Sequence, residues 1–268
     1  MLNLLDPSRR LVLAHRGNSM HAPEDTLESL RQGVALGADG IEFDVRLSAD
    51  GAPVLMHDPT LDRTTDGTGP LAERTLVELR ALDAGYRFTR DGGRTFPYRG
   101  RGIRIPTLDE VLNAFPDTPC LIEIKSAETT EPFIRVVERH HAKDRLLIGS
   151  FVDEAHARLT GRGFLITASK PDVTRLCLRS LAFLGAGQVA YQACSVPPRW
   201  KRLRIPVLRF VRMLRPRGIP THCWTINDPA VARDLWDGGV NAVLSDDPGT
   251  MLALLGRGPG AIPPVETR

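Results

Sequence analysis

Short, nearly continuous apolar runs recur along the chain, and between most of them apolar positions return every three or four residues. The runs are "LVLAH" (11–15), "IEFDV" (41–45), "PVLMH" (53–57), "CLIEIK" (120–125), "LLIGSF" (146–151), "FLITA" (164–168), "VAYQA" (189–193), "HCWTI" (222–226) and "NAVLSD" (241–246). Runs that are apolar at almost every position predict strands covered on both faces. Helical patterns fill the intervals. In "TLESLRQGVAL" (26–36), Leu27, Leu30, Val34 and Leu36 share one side. "TLDEVLNAF" (107–115) opens on Thr107 with Glu110 three residues on, a capping box. "DPAVARDLWDGG" (228–239) has Pro early and Gly late, as helix ends prefer. Such alternation predicts a parallel α/β fold, and eight units in about 250 residues fit a closed TIM (β/α)8 barrel.

Nine runs are one too many for that barrel. Only seven residues separate "IEFDV" from "PVLMH", too few for a crossover helix, and "ADG" (49–51) is a turn signal. The pair is therefore expected to form a hairpin or an irregular corner that brings Glu42 and His57 to the same end. Residues 59–106 are turn-rich with one helical patch, "TLVELRALD" (75–83), and predict a small insertion after the His57 strand. The expected organisation is one domain over 1–256 and a flexible Gly- and Pro-rich tail over 257–268.

Composition leaves this picture intact. The 268 residues are 42% apolar and 25% charged, enough for a sizeable core. No apolar run approaches the roughly 20 residues of a membrane span. The N-terminus lacks a basic region ahead of a long apolar stretch, so no secretory signal is expected. Cys120, Cys177, Cys194 and Cys223 show neither CxxC spacing nor disulfide-scaffold density, which points to a reducing, cytoplasmic setting.

Candidate chemistry gathers at the predicted strand ends, where parallel barrels place their active groups. Period-two geometry points Glu42 and Asp44 the same way, and likewise Glu123 and Lys125. Two carboxylates on one face of an apolar strand repel unless a cation or partners such as Arg16 and Lys125 offset the cost. Three carboxylates from two strands form a hard oxygen set suited to Mg²⁺ or Ca²⁺ and unsuited to Zn²⁺. His15 and His57 end two other runs beside acids, and neutral histidine is the commonest acid–base group near pH 7. His57 and Asp58 could form an orienting pair, but adjacent strand residues face opposite ways, so Asp58 and Arg63 read rather as a loop clasp; Ser150 in "GSF" has no acid–base neighbour in sequence. Trp224 fits either the flank of a substrate or a cap on the barrel interior.

These residues resemble a family. "HRGNSMHAPEDT", "GADGIEFDVRLSADGAPVLMHDPTLDRTTDGTG", "IPTLDEVL", "LIEIK", "GSF", "WTIND" and "VLSDDP" follow the order and spacing of the glycerophosphodiester phosphodiesterases, over about residues 11–248. That family belongs to the phospholipase C-like phosphodiesterases and has a TIM barrel fold. The resemblance implies that Glu42, Asp44 and Glu123 hold a divalent ion, Mg²⁺ or Ca²⁺. It implies His15 and His57 as the acid–base pair, with Arg16 and Lys125 on the phosphate. The expected reaction is hydrolysis of glycerophosphodiesters to glycerol 3-phosphate and an alcohol. Two positions depart from the family pattern: Asp25 stands where an Asn is usual, adding an acid near the site, and Ser48 where a Thr is usual.

One segment stands apart in charge. Residues 199–217, "RWKRLRIPVLRFVRMLRPR", hold eight Lys or Arg and no acid, leaving 27 basic residues against 32 acidic ones elsewhere. Val207, Phe210, Val211 and Leu214 fall on one helical face, which predicts an outer barrel helix with solvated arginines. The other reading is a peripheral contact with an anionic membrane, each basic residue contributing about 1 kcal/mol. That would suit a lysophospholipase D-type reaction on lysophospholipids. No nucleic-acid motif accompanies the patch. A reading of another class, a non-catalytic barrel binding anionic lipid or phosphate, has no need of two histidines.

Overall fold

The computed structural model describes residues 2–258 and 260–262. Eleven strands alternate with nine α-helices among them. In chain order these are β1 (Leu11–His15), α1 (Leu27–Ala35), β2 (Gly40–Leu47), β3 (Pro53–Leu55), α2 (Leu76–Ala81), α3 (Leu108–Ala114), β4 (Cys120–Ile124), α4 (Thr130–Arg139), β5 (Leu146–Gly149), α5 (Asp153–Leu159), β6 (Leu165–Ile166), α6 (Lys170–Leu181), β7 (Cys194–Val196), β8 (Arg199–Trp200), β9 (Leu203–Arg204), α7 (Val207–Leu214), β10 (Thr221–Cys223), α8 (Pro229–Asp237), β11 (Ala242–Ser245) and α9 (Pro248–Leu254).

Eight of the strands run parallel in the order β6-β5-β4-β2-β1-β11-β10-β7. A parallel bridge between Thr167 and Ala193 joins the two ends. It is reinforced by Gln192 N–H donating to the Ile166 carbonyl and Ala168 N–H to the Ala193 carbonyl. The fold is thus the expected α/β TIM barrel. Period-two alternation divides its residues. Leu11, Leu13, Leu121, Leu147 and Leu244 fill the interior with Leu4, which precedes β1. Val12, Phe43, Ile122, Ile148 and Val243 face outward into the layer under the helices. That is why these strands read as unbroken apolar runs.

β3 is the ninth run. It pairs antiparallel with β2, Val45 opposite Leu55, through a turn in which Ser48 N–H donates to the Ala52 carbonyl and Gly51 takes φ +84°. Residues 59–106 leave the barrel here and carry α2. Their apolar side chains, among them Leu61, Leu71, Leu79 and Ile105, pack with Val54 and Met56 into a cluster of their own. Predicted helices at 26–36, 75–83, 107–115 and 228–239 correspond to α1, α2, α3 and α8. The capping box Thr107–Glu110 is present as read.

One strand is displaced. "VAYQA" (189–193) contributes only the closing bridge, and the strand proper is β7 just after it. β7 is short on apolar residues because Ser195 faces the cavity described below. The basic segment also divides unexpectedly. β8 and β9 form a small antiparallel hairpin outside the barrel, while α7 buries Val207, Phe210, Val211 and Leu214 as its pattern predicts. Of the tail expected over 257–268, residues 259 and 263–268 lie outside the described residues, and Arg257 is anchored to Asp39 at 2.7 Å. No helix among the described residues is long and apolar enough to cross a membrane.

His222, fully buried in β10, donates its Nε2–H to the Leu4 carbonyl at 3.0 Å, and its Nδ1 has no hydrogen-bond partner. Burial pushes its pKa down to about 4 from 6.5. The unfolded chain therefore binds a proton that the folded one refuses. Stability from this group is complete above about pH 6.5 and falls by roughly 3 kcal/mol as the pH drops towards 4. Urea midpoints of the wild type and His222→Gln, compared from pH 7 to 4, should converge by about that amount. Parallel curves would refute the assignment.

Candidate active site

The strand registers assemble the site. His15 ends β1 opposite Glu42 on β2, and two residues on Asp44 lies opposite Glu123 on β4. All these side chains point inward at the C-terminal end of the barrel, above Leu121 and Leu244. A single cavity of about 570 Å³ opens there. All eight residues singled out from the sequence line it: the two histidines, the three carboxylates, Arg16, Lys125 and Trp224.

The backbone after β1 is shaped for this. Arg16 takes φ +53° and Gly17 φ +85°. A Cβ on Gly17 would lie 2.3 Å from the Ser29 carbonyl carbon, so the close approach of α1 requires glycine. Arg16 N–H donates to Glu42 Oε2 at 3.1 Å. Its guanidinium reaches Glu24 at 2.9 Å and Asp44 at 3.1 Å. Lys125 Nζ stands between Asp44 (2.9 Å) and Glu123 (2.8 Å). Arg63, from the insertion, holds Glu24 at 2.6 Å and Asp58 at 2.5 Å. Alternating charges thus run unbroken from Asp58 through Arg63, Glu24, Arg16, Asp44 and Lys125 to Glu123.

Both histidines are oriented through Nδ1. His15 Nδ1 pairs with Asp246 Oδ1 at 2.6 Å, and Asp246 is itself held by Ser19 (2.9 Å) and Asn227 (2.7 Å). His57 Nδ1 pairs with Asp58 Oδ1 at 2.7 Å. Their pKa values move apart. Burial works against charging His15, but Glu42 and Asp246 outweigh it, and the net shift is upward. Burial also works against charging His57, Lys125 and Arg16 add to it, and the net shift is downward despite Asp44 and Asp58.

The carboxylates differ too. Burial and the neighbouring Asp44 and Glu123 push Glu42 up to about 7, against the pull of His15 and Arg16. Asp44 is held below the usual range because Lys125 and Arg16 overcome its burial. Asp25, in the left-handed region at φ +54°, accepts a hydrogen bond from Asp44 N–H at 3.3 Å. Its burial beside Asp44 raises its pKa well above the ordinary value. The extra acid expected near the site is thus a carboxyl group whose surroundings favour its uncharged form.

The three carboxylates offer only oxygen donors, and buried Asp44 Oδ2 is met only by the ion pair with Arg16 Nε at 3.1 Å. This donor chemistry fits a hard divalent cation. As they stand, no three His, Cys, Asp or Glu side chains among the described residues converge on one point, since Lys125 and Arg16 occupy the spaces between the acids.

Sequence reasoning gave Asp246 no role and favoured Asp58 as a clasp with Arg63 over an orienting partner of His57. Asp58 serves both partners, one oxygen for each, because β3 ends at Leu55 and strand alternation no longer separates Asp58 from His57. Asp246, 231 residues from His15, carried one signal: an acid closing the last strand. Ser150 is a structural hydroxyl, donating to the Ile124 carbonyl at 2.6 Å. Trp224 lines the cavity and meets the edge of Phe151, ring centroids 5.7 Å apart.

Two partnered imidazoles facing three carboxylates and two cations at the mouth of a parallel barrel define a phospholipase C-like phosphodiesterase. Residues 15–250 match the model of the glycerophosphoryl diester phosphodiesterase family, and the chain belongs to that family. It is 32% identical over 266 residues to the glycerophosphodiester phosphodiesterase of Caldanaerobacter subterraneus subsp. tengcongensis, covering 93% of this chain and 99% of that one. The glycerophosphodiester phosphodiesterase of Bacillus subtilis is also 32% identical, over 92% of this chain and 86% of its own. Among solved structures, the phosphodiesterase of Oleispira antarctica in complex with the product sn-glycerol-3-phosphate superposes with a TM-score of 0.76. It is 28% identical and the match covers 92% of this chain and 97% of that one.

Asp25 gives a test of the buried-acid argument. A carboxyl whose folded pKa is raised is fully accommodated below its unfolded pKa, and stability is lost as pH rises through the folded one. Asn tolerates the left-handed region well and has no charge to bury. Asp25→Asn should raise the urea midpoint at neutral pH, with the gain shrinking as pH falls through the carboxylate range. A loss of stability at pH 7 would show that Asp25 is needed as an anion.

Proposed function

We propose that the protein hydrolyses glycerophosphodiesters to glycerol 3-phosphate and an alcohol, with His57 as general base and His15 as general acid. The observation that carries this reading is the opposite shift of two imidazoles, each fixed by its own aspartate, on one cavity. Titratable groups pushed apart in this way suit acid and base roles at one pH. Neutral His57 would take a proton from the attacker, either water or the glycerol 2-hydroxyl. Protonated His15 would give one to the leaving alkoxide. Arg16 and Lys125 would hold the non-bridging oxygens and meet the charge that develops at phosphorus. The non-catalytic reading gains nothing from either oriented imidazole.

Glu42, Asp44 and Glu123 would hold a divalent ion, Mg²⁺ or Ca²⁺. Bound there, it supplies Lewis-acid neutralisation of the phosphoryl oxygens. Within the same proposal, the bilayer contact expected of 199–217 falls to the hairpin Arg199–Arg204. Trp200 and Leu203 are exposed there beside Lys201 and Arg202, whereas α7 turns its apolar stripe inward.

His15→Ala and His57→Ala should each lower kcat on glycerophosphocholine by about 10²–10⁴ while circular dichroism stays native. The wild-type pH–rate profile should be a bell. Its acid limb should lie below the ordinary histidine value, set by His57, and its alkaline limb above it, set by His15. Wild-type-like turnover in either mutant would sink the acid–base assignment.

EDTA should abolish turnover and Mg²⁺ or Ca²⁺ restore it. Independently of activity, adding the ion should raise the thermal midpoint by mass action, and Glu123→Gln should blunt that rise. A midpoint indifferent to both ions would argue against the carboxylate site.

A further inference from the structure

A second, smaller cavity of about 210 Å³ lies on the insertion side of the site, between the loop after β1 and residues of the insertion. Its walls are continuous with the supports of the catalytic groups. Glu24 lines it and bonds to Arg16, which lines the larger cavity. Arg63 lines it and holds Asp58, the partner of His57. Ser19 lines it too, with Oγ 2.8 Å from the His15 carbonyl and 2.9 Å from Asp246. The volume is below the ~300–1,000 Å³ of a self-sufficient ligand pocket. A space this small, sharing a wall with a larger site, suits one end of a ligand whose other end is held there.

The charges around this space favour an anion. Glu24 is the one acid in its lining among the described residues, and its oxygens are taken by Arg16 at 2.9 Å and by Arg63 at 2.6 and 2.7 Å. Arg87, also in the lining, has Nε fixed on the Thr65 carbonyl at 3.2 Å. Its terminal nitrogens have no hydrogen bond or ion pair among the described residues. A guanidinium anchored through Nε presents the two-pronged edge that meets a carboxylate or a phosphate. The surrounding segment adds to the field. Residues 86–104 hold six arginines and a single acid, Asp91. None of the six forms an ion pair among the described residues. Asp91 is consumed by its own loop, accepting from Thr95 N–H at 2.9 Å and from the Thr95 hydroxyl at 2.7 Å. Unpaired charge of one sign around a cleft draws in ligands of the other.

We propose that this cavity is the headgroup subsite, and that the preferred substrates are glycerophosphodiesters whose alcohol carries a second anion, a carboxylate or a phosphate, received by Arg87. The inference rests on the phosphodiesterase reading above and adds the class of headgroup to it. With the bridging phosphate held by Arg16 and Lys125, the headgroup extends past Glu24 and Arg63 to Arg87. The departing oxygen then lies on the side of Ser19 and His15, where the general acid stands. In the overall reaction an oxygen of water bonds to phosphorus and the bond from phosphorus to the headgroup oxygen breaks. A proton released from that water is balanced by the one that the headgroup alkoxide takes up. The products are glycerol 3-phosphate and an alcohol that keeps its own anion.

The test is a set of glycerophosphodiesters whose headgroups differ in charge and little in size: 3-hydroxypropionate (anionic), 1,3-propanediol (neutral) and choline (cationic). Leaving groups differ in intrinsic reactivity, so each protein's kcat/KM is read as a ratio to its own value on the neutral diester, whose turnover also reports a folded site. Loss of a charge-assisted contact in Arg87→Ala should lower the anionic-to-neutral ratio about tenfold. Arg87→Lys, which keeps the charge and loses the fork, should fall between it and the wild type. Arg87→Glu should lower that ratio further and raise the choline-to-neutral ratio. Arg94→Ala and Arg101→Ala remove arginines outside the lining and should leave both ratios in place. Ratios in the Arg87 variants that match the wild type, or equal losses in Arg94→Ala and Arg101→Ala, overturn the subsite; turnover of the neutral diester then keeps the phosphodiesterase reading standing. If no diester is turned over, that reading fails, and calorimetric titration with the 3-hydroxypropionate diester decides the subsite. Saturable binding weakened by Arg87→Ala upholds it. No binding, or binding that Arg87→Ala leaves intact, overturns it.

Discussion

Asp44 is almost wholly buried, and the barrel mouth is organised around what keeps its charge in place. An isolated buried carboxylate would take up a proton, because the cost of removing it from water is several kcal/mol. Asp44 stays ionised because Arg16 and Lys125 both reach it, and each of those cations is shared with a further acid, Glu24 and Glu123. Breaking such a pair typically costs about 3–5 kcal/mol, since one charge is left buried and unpaired. The charges therefore fix each other's positions, and with them the backbone of the loop after β1 and the approach of α1 at Gly17.

The same arrangement separates the two histidines. His15 lies between Glu42 and Asp246, which outweigh its burial, whereas burial, aided by Lys125 and Arg16, prevails at His57 over Asp44 and Asp58. The insertion reaches the site through Arg63, which ties Asp58 to Glu24 and so fixes the partner of His57 relative to that of Arg16. A barrel that buried these groups separately would have to neutralise each one. Burying them as one alternating chain keeps most of them charged at the barrel mouth.

Much of the fold was legible in the chain because the relevant periodicities are local. The β2 pattern already fixes that Glu42 and Asp44 share a face, and the capping box at Thr107 marks the start of α3 without reference to any partner. The displaced β7 shows the limit. "VAYQA" alternates well enough for a strand, but the sheet is completed by Cys194–Val196, whose polar Ser195 is explained only by the cavity it faces. The hairpin β8–β9 was hidden for a similar reason: its residues are exposed and charged, so no burial pattern announces it.

For the site, the identity of the groups and their rough location came from residue types at strand ends, together with the order and spacing of the family motifs. Pairing came from the tertiary structure alone. Nothing near His15 in the chain points to Asp246, because strand closure brings β1 beside β11 across 231 positions. The raised pKa of Asp25 and the opposed shifts of the histidines likewise depend on burial and on neighbours that only the closed barrel supplies. Sequence fixes side-chain chemistry and local periodicity; solvent exclusion and distance, which set the energy of every charge here, exist only once the chain has folded.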